Sequence, residues 1–151
     1  DGGMRLDDGS LSETDRRLLA LLAPDARRPV PKLATELGLT RAHVYARLGR
    51  MEEEGIIDGY TVRLGAAYDR RLIRAQVMIK VQLTLTRATA DALAALPALR
   101  TLHAISGEHD FIALIEAETV SELNALIDQI GALEGVERTT SSILLATKIA
   151  R

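Results

Sequence analysis

The chain has 151 residues, of which 47% are hydrophobic and 26% charged, as in ordinary soluble globular proteins. A chain of this length can form one domain or two small ones. The sequence contains no cysteine, which excludes disulfide bonds and thiolate metal sites, and no apolar run reaches the roughly 18–20 residues that cross a bilayer. Residues 1–4 lack the apolar core of a signal peptide, and we interpret those before Met4 as a cloning remnant.

The net charge of −2 conceals an uneven distribution of charge along the chain. Residues 11–51 carry eight basic and four acidic side chains, whereas residues 75–151 carry six basic and nine acidic ones. An excess of positive charge at one end favours contact with nucleic acid there. Solvated helix faces are often basic as well, so the charge pattern alone leaves both interpretations open.

Two short amphipathic helices are predicted first. Ser12 has capping-box spacing to Asp15 and starts a helix that ends at Pro24. Pro31 needs no amide donor at a first helical position, and it starts a second helix that ends at Gly38.

A third helix follows after only three residues, Gly38-Leu39-Thr40. Thr40 is its predicted cap, and the helix runs from about Arg41 to Glu54. A turn this short that contains glycine is typical of a helix-turn-helix, in which the second helix of the pair lies in the major groove of DNA.

The third helix has a narrow apolar stripe, formed by Val44, Leu48 and Met51, and its opposite side is small or basic. Small side chains let the backbone approach DNA closely, and arginine pairs with guanine edges or phosphates. An ordinary amphipathic helix with a solvated basic face is the alternative interpretation. The residues that we expect to contact DNA are Thr40, Arg41, Ala42, His43, Tyr45, Ala46, Arg47 and Arg50.

A turn at Asp58-Gly59 and a short strand are predicted within residues 56–64, which would form a small wing beside the helices. The predicted DNA-binding domain therefore spans residues 11–64. Residues 65–74 form the expected linker, whose three arginines either are solvated or contact DNA.

From residue 75 onward the pattern changes to that of a mixed fold. Apolar residues alternate through Ala75–Leu85, which predicts a half-buried strand with Leu83 on its apolar side. Thr86 is the predicted cap of the next helix, and Pro97 ends that helix. The remaining predicted elements are strands over Leu99–Ile105, Phe111–Glu118 and Val136–Ile149, and a helix that starts at Thr119 or Ser121.

The order β-α-β-β-α-β predicts a split βαβ, or ferredoxin-like, sandwich over residues 75–151. The whole chain is then an α+β protein, a winged helix-turn-helix followed by a ferredoxin-like domain. Both helices would cover one face of the sheet, and the other face would carry Met78 and Lys80 beside Ile112 or Leu114. We expect this mixed face to pair with a second copy, because a dimer suits a palindromic DNA site.

The sequence lacks the motifs that are typical of enzymes. Its three histidines, His43, His103 and His109, lie in different predicted elements, and no glycine-rich phosphate loop or metal-ligand spacing occurs. Glu108 near Asp110 is too common a pair to indicate acid–base chemistry. We therefore expect no enzymatic activity, no cofactor and no metal site.

Four segments in order give the chain a specific likeness to a known family. They are residues 11–19 (LSETDRRLL), 33–40 (LATELGLT), 44–60 (VYARLGRMEEEGIIDGY) and 106–110 (SGEHD). With these motifs in their expected elements, the chain resembles the Lrp/AsnC family, the feast/famine regulators of bacteria and archaea, over about residues 11–149.

The resemblance implies a DNA-binding transcriptional regulator that works in the cytoplasm at the nucleoid. It also implies a dimer, often assembled further into an octamer, and an amino-acid effector bound between subunits. The effector would shift the association between dimers and so the spacing of recognition helices. An architectural protein that coats DNA without a dedicated effector is the alternative.

The resemblance implies an effector site at the loop between the second and third strands, formed by Gly107, Glu108, His109 and Asp110. Backbone amides near Gly107 would receive the effector's carboxylate, and Asp110 or Glu108 its ammonium. A tight turn and a strand cap are the alternative roles of these residues. His109 stands where the family usually has an aromatic ring. Two interpretations remain open for Thr139, Thr140, Ser141 and Ser142. They add polar contacts near the loop, or they belong to an ordinary strand.

Overall fold

The computed structural model describes residues 11–150, so the opening segment interpreted as a cloning remnant lies outside the described residues. The chain forms two compact units, one that ends at Arg63 and one that begins at Leu64. Each unit encloses its own apolar core.

Over residues 11–63, the first unit is built from three helices. A buried cluster holds them together, centred on Leu18, Leu33, Val44 and Met51, none of which is exposed. The bounds of the helices are α1 Glu13–Leu22, α2 Val30–Leu37 and α3 Arg41–Glu53.

Local capping signals define the ends of these helices. Ser12 Oγ accepts the N–H of Asp15 at 3.1 Å, and Thr40 Oγ1 accepts the N–H of His43 at 3.2 Å, so both predicted caps are confirmed. Gly38 ends α2 at φ 67°, the left-handed conformation that glycine adopts readily. The placement of Pro31 was wrong by one residue, because α2 begins at Val30 after a cap at Pro29.

The predicted wing strand is wrong, since residues 58–65 have neither helix nor strand. A strand needs a neighbouring strand to pair its backbone, and none of the strands that the structure describes pairs with this segment. Side chains fix the segment instead: the hydroxyl of Tyr60 donates to Glu52 at 2.9 Å, and Arg63 donates to the carbonyl of Pro24 at 2.9 Å.

The second unit is a four-stranded antiparallel sheet with two helices on one face, so the predicted ferredoxin-like sandwich is confirmed. The strand order is β2-β3-β1-β4. The predicted linker is partly ordered, because it contains α4 and the start of β1. The bounds are α4 Ala66–Asp69, β1 Ile73–Val81, α5 Thr86–Ala94, β2 Leu99–Ala104, β3 Phe111–Ala117, α6 Val120–Gly131 and β4 Val136–Leu144.

The first predicted strand ends at Val81 and not at Leu85, and the last ends at Leu144 and not at Ile149. The last pair of β1 and β4 is Val81 with Val136, and the chain then turns through a 3-10 segment at Leu83–Leu85. Leu83 is consequently 86% exposed and does not belong to the core as predicted. Thr86 is not a cap, since its hydroxyl donates to the carbonyl of Leu83 at 3.0 Å.

The two faces of the sheet differ in chemistry. One face packs against α5 and α6 and includes Val77, Ile79 and Ile115, all fully buried. The opposite face, here called the open face, pairs Met78 with Ile112 and carries polar residues around them. Its residues on β1 and β3 are Arg74, Gln76, Met78, Lys80, Ile112, Leu114 and Glu116.

Candidate nucleic-acid interface and effector loop

The eight residues predicted to contact DNA all lie on α3 or at its cap. Thr40 is occupied as the cap, whereas the side chains farther along the helix face away from the core. Val44 and Met51 on the opposite side are completely buried. The exposed members are Thr40, Arg41, Ala42, His43, Tyr45, Ala46 and Arg50, and Arg47 is half-buried.

A line of small residues runs along the side of α3 opposite the core. Ala42, Ala46 and Gly49 follow one another at i, i+4 and i+7, so they form one row along the helix. Tyr45, which is 62% exposed, flanks the row on one side. Such a row allows a helix backbone to approach the edges of base pairs closely.

The arginines on the other flank of this row have a partner that the sequence did not reveal. Arg47 donates from Nη1 to Oδ1 of Asp15 at 2.9 Å, and Arg50 donates from Nη2 to Oδ2 at 2.5 Å. Arg47 also lies 3.4 Å from Ser12 Oγ. We call this arrangement the Asp15 fork: one carboxylate in α1 that holds two guanidinium groups of α3.

The electrostatics of the fork favour an ionised carboxylate. Burial raises the pKa of Asp15, but hydrogen bonds from Arg47 and Ser12 and the charge of Arg50 together lower it by more, so the pKa lies below its usual value. The two guanidinium groups and the single carboxylate of the fork therefore carry one net positive charge together.

The sequence contains one signal that pointed to the fork. Asp15 shares the apolar spacing of Leu18 and Leu22, which marks an acid on the buried side of an amphipathic helix. An acid in this position requires a cationic or hydrogen-bonding partner. The sequence pattern of Asp15 had predicted only a role in the helix cap.

A shallow concavity of about 450 Å³ lies beside the fork. Its lining combines the two arginines with the imidazole of His43 and apolar carbons of Leu39 and Ala46. Guanidinium and imidazole donors around an open depression match the acceptors of phosphates and base edges.

The predicted effector loop is a tight connection between β2 and β3. Gly107 has φ 108°, a value that favours glycine. Asp110 ties the loop to β1, since its N–H donates to the carbonyl of Ile79 at 2.8 Å and its Oδ2 accepts the N–H of Val81 at 2.9 Å. The ammonium of Lys80 lies 3.6 Å from the same oxygen.

The other two loop residues reach toward β4. His109 Nε2 lies 3.4 Å from Thr140 Oγ1, and Glu108 lies 3.9 Å from Arg138. Thr140 is thus the member of the polar run 139–142 that contacts the loop side chains. The four predicted residues are brought together with β4, and among them Asp110 is already engaged through its backbone and its carboxylate.

Within residues 11–150, no set of three or more histidine or acidic side chains is arranged to bind a metal ion. No helix in this range has both the length and the apolar composition needed to span a membrane.

Comparison with protein families explains why these two units occur together. Residues 11–52 match the AsnC-type helix-turn-helix domain, and residues 74–151 match the Lrp/AsnC ligand binding domain. The chain belongs to the Lrp/AsnC family of transcriptional regulators. The family identified from sequence motifs is therefore confirmed.

Individual members of the Lrp/AsnC family align over nearly their whole length. The HTH-type transcriptional regulator FL11 of Pyrococcus furiosus is 27% identical over 137 residues, which is 91% of each chain. The structure of E. coli AsnC superimposes with a TM-score of 0.85 at 19% identity, over 94% of this chain and 97% of that one.

A transcriptional regulator from Neisseria meningitidis, solved as a complex with L-Met, has the same fold. It superimposes with a TM-score of 0.84 at 19% identity, over 93% of this chain and 94% of that one.

Proposed function

We propose that this regulator reads a palindromic DNA site as a symmetric oligomer and changes its DNA binding when an amino-acid-like effector is present. The observation that carries the DNA role is the exposed side of α3, where a row of small residues lies beside Arg47 and Arg50. DNA binding at the chromosome implies a location in the cytoplasm at the nucleoid.

The DNA contacts that we propose are those of the exposed helix side. Ala42 and Ala46 let the backbone enter the major groove, while Arg41, Arg47 and Arg50 supply cationic donors. Tyr45 and His43 add contacts at the borders, and Thr40 orients the start of the helix.

Replacing Arg50 by alanine should weaken DNA binding about tenfold and leave the oligomer intact, because a good guanidinium contact contributes roughly 1–3 kcal/mol. Replacing Arg47 should do the same, and either change should also destabilise the first unit, since Asp15 then keeps a single arginine partner. Unchanged affinity in both variants would place the interface elsewhere.

Self-association is proposed to use the open face of the sheet. Met78, Ile112 and Leu114 are half-buried apolar residues on the face of the sheet opposite α5 and α6. Apolar residues framed by polar ones are typical of an interface between copies. A dimer is the minimal form of this assembly, and an octamer built from dimers is the larger one that we propose.

The effector site is proposed at the loop Gly107–Asp110. Support comes from the match of the second unit to a ligand binding domain and from the cluster of hydrogen-bonding groups that joins the loop to β4. Backbone amides near Gly107 would receive a carboxylate. The ammonium would then bind to Glu108, whose side chain is 85% exposed, in preference to the engaged Asp110.

Selection of genomic DNA fragments by the purified protein, with and without the twenty amino acids, tests both parts of this proposal. Enrichment of palindromic fragments that changes with one amino acid is the expected result. Enrichment that ignores every amino acid would remove the effector from the proposal. Binding without sequence preference at moderate salt would indicate an architectural protein.

A further inference from the structure

Asp15 occupies an unusual place for a charged residue. It lies on the buried side of α1 with Leu18 and Leu22, and only 3% of its side chain is exposed. A carboxylate in such a position is strongly destabilising unless its oxygens are paired. The fold is therefore stable only if the partners of the Asp15 carboxylate stay in place.

The partners are two arginines of the proposed DNA-reading helix, and each takes a different oxygen of the carboxylate. Arg47 contacts Oδ1 and Arg50 contacts Oδ2. A guanidinium has five N–H donors, so most donors of each arginine remain free of Asp15. The side chains of Arg47 and Arg50 are still 30% and 49% exposed, and both line the concavity beside Ala46.

We propose that Asp15 is a positioning residue for DNA recognition, which holds Arg47 and Arg50 in one preformed arrangement so that their remaining donors face the same phosphate or base edge. This inference rests on the proposed DNA role of α3. A long side chain that is already ordered loses less conformational freedom on binding. The carboxylate also cancels one positive charge, which weakens attraction to DNA of any sequence.

The two effects of Asp15 have opposite signs, and this gives the inference its test. Positioning strengthens binding to the specific site, whereas charge cancellation weakens binding to unrelated DNA. A residue that merely ties α1 to α3 would change both affinities in parallel with the stability of the fold.

The experiment compares the full-length protein with Asp15→Asn, which is nearly isosteric but uncharged. Fluorescence anisotropy measures binding to a duplex enriched by the wild type from genomic DNA and to a scrambled duplex, between about 50 and about 200 mM salt. We expect affinity for the enriched duplex to fall about tenfold. Affinity for the scrambled duplex should stay unchanged or rise. The slope of log affinity against log salt concentration should steepen by the amount that about one additional phosphate contact gives.

Two results would overturn the inference. A parallel loss of both affinities, together with a lower melting temperature, would make Asp15 a structural tie. A gain in both affinities would mean that Asp15 acts only through its negative charge, which weakens DNA binding. If the wild type enriches no sequence at all, the proposed function fails first and independently of Asp15.

A second pair of variants keeps the test decisive if Asp15→Asn does not fold. Arg47→Lys and Arg50→Lys retain the charge that Asp15 needs, but lysine lacks the planar set of donors that reaches two partners at once. We expect each variant to lose about fivefold or more of its affinity for the enriched duplex, with the scrambled duplex changed by less than about twofold. Wild-type affinity for both duplexes in both variants would show that the arrangement is not used.

Discussion

The carboxylate of Asp110 accepts the backbone N–H of Val81 at 2.9 Å, across 29 residues of sequence. This bond occupies the end of β1, where the ladder with β4 shifts register between Lys80 and Val81. Asp110 thereby joins the proposed effector loop to β1, one of the two central strands of the sheet. Its main role in the isolated chain is to anchor the loop, so an effector would meet a loop whose shape is already set.

Replacing Asp110 by alanine should lower the free energy of unfolding by about 1–2 kcal/mol, because the amide of Val81 loses its acceptor. Replacement by asparagine retains an acceptor oxygen and should lower the stability by less than half as much. Urea denaturation of the three proteins measures the difference. Equal losses in both variants would mean that the charge near Lys80 matters more than the hydrogen bond.

Gly135 is expected to tolerate no side chain. It has φ 92°, and a Cβ there would overlap Thr89 Oγ1 and lie 2.9 Å from Leu85 Cβ. Gly135→Ala should therefore cost about 2–4 kcal/mol of unfolding free energy, from backbone strain and overpacking.

Gly131 provides the matched control for this change. It ends α6 at an ordinary φ, and nothing lies within 4 Å of an added Cβ. Gly131→Ala should leave the stability unchanged or raise it by up to about 1 kcal/mol. Thermal melting of both variants checks the contrast, and equal melting temperatures would contradict it.

The row of small residues on α3 predicts a steric effect on DNA binding. Ala46→Leu should weaken binding to the enriched duplex about tenfold or more, because the larger side chain holds the helix away from the groove. Ala46 is exposed, so the melting temperature should stay close to that of the wild type. Ala20→Leu, on the exposed side of α1, is the control and should bind normally. A normal affinity for Ala46→Leu would move the DNA contact away from this row.

The lowered pKa of Asp15 predicts how its contribution to stability depends on pH. Its folded-state pKa lies below the ordinary value of 3.8, so the carboxylate stabilises the fold fully above that value. The contribution is lost as pH falls through the folded-state pKa. The gap in unfolding free energy between the wild type and Asp15→Asn should be constant above about pH 5 and should close below about pH 4.

Urea titrations of both proteins between about pH 3 and pH 7 measure this gap. Other carboxylates titrate in both proteins alike, and their effects cancel in the comparison. A gap that stays constant down to the lowest pH would show that the charge of Asp15 contributes nothing to stability.

A charge on the open face should disrupt self-association. Leu114 is half-buried on this face and pairs in register with Gln76 of β1. Leu114→Glu should shift the protein to a smaller species in light scattering and weaken binding to a palindrome more than to a half-site. Val120→Glu, 53% exposed at the start of α6, is the control and should leave the assembly unchanged. If the control alone dissociated the protein, the helix side would be the interface.

Features that depend on near neighbours in the chain were predictable from sequence. The caps at Ser12 and Thr40 form within three residues, and the left-handed Gly38 closes its own helix. The alternation in β1 placed Val77 and Ile79 in the core, because the side-chain period of a strand is two wherever it pairs. These local rules were enough for the three helices of the first unit, the β-α-β-β-α-β order of the second and the fold class.

The ends of strands and the partners of charged groups depended on the tertiary structure. Leu83 continues the alternation of β1, yet it is exposed because Val81 with Val136 is the last pair of the two strands. The wing strand failed for the same reason. Asp15 contacts arginines that are 32 and 35 residues away in the sequence. The spacing of residues within one helix cannot indicate such a contact. By itself the sequence determined which helix presents a basic face, whereas only the packing of α1 against α3 decided how two of its arginines are held, since ion pairing depends on distance in space.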